Sequence, residues 1–164
     1  MQQYVFKCIV LYYLATMLMV VNMKDNIELL SKIIKTAQVG QIRIRCIMHS
    51  TVCISFRNTL ESQLKEYKSI EREARAIAAA RGWELEFLTP IIKAMLNLGI
   101  RTYLYFCKED NRIASLLIKG SALGMIIKDQ NRQNLGHSDV TIATLSQKIL
   151  DCEAAKIQKM RGFL

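Results

Sequence analysis

The chain has 164 residues, a formal net charge of +9, 51% hydrophobic and 23% charged residues, and one proline beside seven glycines. That length supports one domain with a sizeable core, and the composition excludes a disordered chain. So few turn residues exclude an all-β fold, which needs a turn about every eight to twelve positions, and favour long helices.

Residues 1–22 are an apolar extension. Tyr4 to Val21 is interrupted only by Lys7 and Thr16, and Cys8 to Val21 carries no charge. The run is short for a membrane span of about 20 residues. It also lacks a strong basic start and a small-residue cleavage pattern. Three readings stand: a signal-anchor helix over 4–21, a helix packed on the domain, or sequence upstream of a start at Met23. The last is favoured because Asp25 and Glu28 are spaced as a capping pair at the head of a new helix.

From Asp25 the residues Ile27, Leu30, Ile34, Ala37, Ile44, Ile47 and Met48 keep helical spacing through Gly40 and predict a helix over 25–49. A local conflict follows. Ile42-Arg43-Ile44-Arg45-Cys46 alternates as a strand does, and Val52 to Phe56 could pair with it. Helix is preferred, because an isolated two-stranded ribbon is marginal and no third strand is on offer.

The most regular stretch spans 53–81. Leu60, Leu64, Tyr67, Ile70, Ala74 and Ile77 form one helical stripe, and Gly82 supplies the stop. Lys65, Lys68, Arg72 and Arg75 lie on the opposite face, with Glu61–Lys65 and Glu71–Arg75 spaced as ion pairs. The connection 82–110 is long. Within it Thr89-Pro90 opens a short helix that continues to Phe106. Being apolar nearly all round, this helix is expected to be well covered.

A further helix is expected over 111–133, with Ile113, Leu116, Leu117, Gly120, Leu123, Gly124 and Ile127 on one side. Gly120 and Gly124 suggest a close helix crossing. The last helix, 138–160, would begin at Ser138 as cap and turn Ile142, Leu145, Ile149, Cys152 and Ile157 inward. At about 1.5 Å per residue the four long helices match at roughly 35–43 Å. Two helical hairpins joined by a long crossover make an up-down four-helix bundle of ferritin-like topology.

No block of like charge exists, so the basic residues read as solvated helix faces, with no specific nucleic acid implied. Cys8, Cys46, Cys53, Cys107 and Cys152 are odd in number and scattered, which suits buried reduced thiols in a cytoplasmic protein. His49 beside Cys46 and Cys53 reads as a turn histidine next to packed thiols, since no orienting carboxylate lies nearby in sequence. Phosphate-binding and dinucleotide-binding loops are absent from the sequence.

The segments Asn26-Ile27-Glu28-Leu29-Leu30, Gln63-Leu64-Lys65-Glu66-Tyr67, Thr89-Pro90 and Ile118-Lys119-Gly120-Ser121 to Ile127 resemble small bacterial proteins with a ferritin-like helical bundle. The resemblance covers about 23–164. It implies a fold and no activity. Metal enzymes of that fold are similar in drawing a Glu from each of two helices and a Glu-x-x-His from each of the others. Here Cys46 precedes His49 by three, Asn134 precedes His137, and Glu153 is followed by Lys156. Glu66 and Glu73 read as solvated charges. No catalytic, cofactor or metal residue is therefore assigned. The expectation is an all-α, non-catalytic bundle over 23–164 that acts through a protein partner or as a homo-oligomer. A degenerate metal or redox protein is the alternative, and membrane attachment requires residues 4–21 as an anchor.

Overall fold

A computed structural model describes residues 2–50, 53–106, 109–132 and 139–164, with side chains placed for 23–50, 53–106, 109–122 and 139–164. The described residues are all-helical, in five helices. They are α1 (Gln2–Met48), α2 (Ile54–Arg81), α3 (Pro90–Phe106), α4 (Asp110–Arg132) and α5 (Val140–Arg161). The alternation at Ile42 to Cys46 lies inside α1, so the helical reading holds over the strand reading.

The expected helix start at Asp25 is not there. α1 passes through it as one helix, and Glu28 pairs with Lys32 at 2.5 Å instead of capping. An acid three residues after a cap-like residue marks a helix start only where the preceding turn is broken, and nothing upstream breaks it. The side chains of the apolar stretch 4–21 lie outside the described residues. Among the described residues no helix is long and apolar enough to cross a membrane.

α1 is the central element, packing on α2, α3, α4 and α5, while α2 and α4 each also pack on α5. The helix directions follow from contacts at the two ends. Asp139, at the head of α5, donates its backbone N–H to Asn26 of α1 and pairs with Arg81 at the end of α2. At the other end Phe56 of α2 meets Phe163 beyond α5, with ring centroids 4.6 Å apart. α1 and α5 thus run one way and α2 runs back between them. Leu30, Ile33, Ile34, Ile44 and Ile47 of α1 are buried against Phe56, Leu60, Ile70 and Ala74 of α2. Ile113 and Leu117 of α4 and Ile142, Leu145 and Ile149 of α5 complete the core. In α2 the stripe is centred on Gln63 and Ala78 rather than Leu64 and Ile77, a shift of one position that leaves those two half-buried.

Helix ends follow their residues. Gly82 sits at φ 65° and ψ 29°, the left-handed region that glycine enters freely, and Trp83 N–H returns to the Ala78 carbonyl at 3.0 Å. Thr89 Oγ1 accepts from Ile92 N–H at 3.4 Å, as the Thr-Pro start implies. α5 is capped by Asp139, which accepts from Thr141 N–H at 2.8 Å. Ser138, the expected cap, lies outside the described residues, and so does Gly124. At Gly120 a Cβ would meet the Arg43 guanidinium, 2.9 Å away at Cζ, the far end of a flexible side chain that can shift at little cost.

The largest departure is α3. The expectation that it is covered fails: only Leu104 is buried, and α3 packs chiefly on α1 among the described elements. The strap before it explains the placement. Glu86 N–H donates to Ser31 Oγ, Leu88 N–H donates to Gln38 Oε1, and Lys35 pairs with Glu86 at 2.6 Å. These bonds lay residues 83–88 along the outside of α1, so α3 starts on the bundle surface and stays there.

Candidate functional site

The chemically unusual part of the molecule is at mid-core. Tyr67 of α2, Glu153 and Lys156 of α5 and Ser121 of α4 are all buried, with Lys156 2% and Glu153 3% exposed. Helical spacing puts them there: 142, 145, 149, 152, 156 and 160 step by three and four along one face of α5, and 153 lies beside it. The Tyr67 hydroxyl donates to Glu153 Oε1 at 2.5 Å. Lys156 Nζ lies 2.9 Å from Glu153 Oε2, donates to the Tyr67 oxygen, and stands 4.8 Å from the centre of the Tyr67 ring. One cation, one carboxylate and one phenol are therefore gathered in the core, with Glu153 Oε2 facing the Lys156 charge but accepting no well-aligned hydrogen bond, and with Ser121 Oγ unpartnered, among the described residues.

The electrostatics follow from that arrangement. Burial pushes the Lys156 ammonium below its ordinary range, by more than the Glu153 carboxylate raises it. Burial would raise Glu153. The Lys156 charge and the hydrogen bond from the Tyr67 hydroxyl, with smaller contributions, together outweigh this and hold the carboxyl below its usual value. Burial and the adjacent carboxylate push the Tyr67 phenol up, so it remains a donor throughout the working pH range. Close pairing of this kind offsets part of the cost of desolvating two charges. Gln63, one turn before Tyr67, has neither amide atom hydrogen-bonded among the described residues.

Cys152 borders the cluster and donates to Glu66 at 3.3 Å. Burial, then the Glu66 carboxylate, pushes its thiol up to about 12 from an ordinary 9.0. Glu66 is thus half-buried and engaged, not a freely solvated charge. Glu73 is half-buried as well and pairs with Lys148 at 2.5 Å. The thiol shift has a signed consequence. Between pH 9 and about 12 the unfolded chain has released a proton that the folded chain retains, so this stabilisation is intact below pH 9 and fades as pH rises. The advantage of the wild type over Cys152→Ala should shrink by about 1 kcal/mol between pH 8 and pH 10.5, allowing for partial solvation. Urea unfolding of both proteins at the two pH values measures it.

The other residues singled out in the sequence do not converge. His49 is exposed, Cys53 is exposed rather than packed, and the buried Cys46 donates to Asn97 Oδ1 of α3 at 3.1 Å. Burial raises the Cys46 thiol, so no activated thiol forms. Cys8, Cys107 and His137 lie outside the described side chains. Lys65, Lys68, Arg72 and Arg75 are exposed, as the outer face of α2 requires. Arg75 pairs with Glu71 at 2.7 Å, whereas Glu61 and Lys65 are not bridged. Among the described residues no group of three His, Cys, Asp or Glu side chains could hold a metal ion.

Two open clefts flank α3. One, of about 540 Å³, lies between α1 and α3 and includes Arg45, Cys46, His49, Asn97 and Arg101. The other, of about 740 Å³ and mostly apolar, lies between α1, α3 and α4. It includes Arg43, Ile47, Ile92, Met95, Ile100, Tyr103 and Lys119. No acidic residue lines either cleft, and Tyr67, Glu153 and Lys156 line neither. The chain matches no protein-family model, no curated protein and no solved structure.

Proposed function

We propose that the chain is a non-catalytic helical bundle, ferritin-like in its order of helices, that works by surface contact through α3. The observation that carries the first half is Lys156. It follows Glu153 by three residues, where a metal-binding bundle of this kind would place histidine, and its ammonium supplies Glu153 with the positive charge a metal would supply. A fixed cation beside the carboxylate opposes entry of a second one. Among the described residues the donor set does not fit a metal centre. Among the described residues, α3 carries most of the exposed large apolar side chains, and that surface supports the second half.

Metal analysis tests this directly. The purified chain, exposed to ferrous or manganous ion and then desalted, should retain far less than one ion per chain. Retention near stoichiometry, lost in Glu153→Gln, would overturn the reading and restore the metal-protein alternative.

A further inference from the structure

α3 is apolar on two sides, and only one side has a partner. Leu104 is buried towards α1, while Ile91, Met95, Leu98, Tyr105 and Phe106 are 68 to 76% exposed. Positions 91, 95, 98 and 105 share one outward face, with Thr102 between the last two and Phe106 beside its end. Allowing roughly 150–250 Å² for each aromatic ring and less for the aliphatic side chains, the exposed apolar area is about 500–600 Å², at the upper end for an ordinary monomer.

The charges around it have one sign. α3 contains no acidic residue; Arg101 borders the stripe, whereas the half-buried Lys93 falls on the side of Leu104. The cleft on one flank adds Arg45, and the cleft on the other adds Arg43 and Lys119, with no carboxylate in either. The carboxylates just outside its two ends are paired, Glu86 with Lys35 at 2.6 Å and Glu109 with Arg112 at 3.0 Å. Two copies of a +9 chain meeting face to face here would bring these cations together. An anionic lipid surface would neutralise them while the outward stripe enters the headgroup boundary.

We infer that α3 is an interfacial helix that docks the bundle on an anionic bilayer, its apolar stripe inserted and Arg101, with Arg45 and Lys119 of the flanking clefts, on lipid phosphates. The inference rests on the reading that the chain works by contact through α3. It is a peripheral attachment along the membrane plane, independent of residues 4–21.

The test is cosedimentation of the full chain with vesicles of phosphatidylcholine alone or with about one third phosphatidylglycerol. Binding is expected on the anionic vesicles and to fall at least about tenfold on the neutral ones, with a steep loss on adding salt. The double variant Met95→Glu/Leu98→Glu should lose at least about tenfold in binding while keeping its helical circular dichroism and melting temperature, because both side chains are exposed. Arg101→Gln/Lys119→Gln should also weaken binding about tenfold, whereas Lys65→Gln/Lys68→Gln, removing the same charge from α2, should change it little. Equal binding to both vesicle types, or equal loss in the α2 variant, overturns the inference. Sedimentation velocity separates the two levels of reading. If no vesicle binds but the wild type self-associates and Met95→Glu/Leu98→Glu is monomeric, the lipid assignment falls and contact through α3 stands. If no vesicle binds and both proteins are monomeric, both readings fall.

Discussion

Lys156→Met is expected to lower the unfolding free energy by about 3–5 kcal/mol, the usual cost of removing one partner from a buried ion pair. The methionine fills nearly the same space, so the loss is electrostatic rather than a cavity effect. Glu153 would keep the Tyr67 hydroxyl as donor but lose the ammonium 2.9 Å from its second oxygen, in a position only 3% exposed. Its carboxyl, now held low by Lys156, would be pushed up by burial and would take a proton at higher pH. The loss should therefore be greater at pH 7 than at pH 4.5, where protonation relieves it. Combining Lys156→Met with Glu153→Gln should recover part of the stability, because no uncompensated charge remains. Chemical denaturation of the three proteins at both pH values makes the comparison. A single variant within 1 kcal/mol of the wild type would show that Glu153 is already neutral or solvated in the folded chain.

How much of this was legible varies from element to element for physical reasons. Helix positions in α2 and α5 followed from apolar spacing, since only a 3.6-residue period collects Leu60, Tyr67, Ile70 and Ala74 on one side. The Glu153–Lys156 pair was missed as a core element because an acid and a base three apart ordinarily lie on a solvated helix face. A signal was nevertheless present. The inward steps 142, 145, 149 and 152 continue to 156, and reading the face by geometry instead of hydrophobicity places Lys156 inside. Ile157, taken for that position, is only half-buried. α3 shows the opposite failure. Its apolar residues imply burial only if another element is available to cover them, and the strap along α1 places it where none of the described elements lies outside it. Apolar composition specifies what a helix would gain by being covered; the chain path decides whether anything covers it.

The same distinction governs Gly40, a position where two general rules give opposite signs. By helix propensity alone Gly40→Ala in the middle of α1 should stabilise the protein by about 1 kcal/mol. The structure predicts destabilisation. A Cβ at Gly40 would lie 2.5 Å from Cζ of Tyr67 and 2.6 and 2.8 Å from the adjoining ring carbons, far inside van der Waals contact. The ring cannot readily give way, because its hydroxyl is tied to Glu153 and Lys156 on α5 and the side chain is fully buried. Either α1 moves off α2 or the Tyr67 bonds break. Overpacking of this kind costs about 1–3 kcal/mol, enough to offset the propensity gain and leave a net loss. If the strain is released by withdrawing the phenol, Glu153 loses a donor as well, and the loss should reach the upper end of that range. The decisive comparison is a double-mutant cycle with Tyr67→Phe. A ring that clashes and a hydroxyl that anchors it are separate effects, so Gly40→Ala should remain destabilising in the Tyr67→Phe background but by less, because the freed ring can shift. A stabilising Gly40→Ala in the wild-type background would mean that Tyr67 does not sit against α1 as described. The glycine that looked in sequence like an interruption of α1 is what allows α2 to bring its phenol into the core.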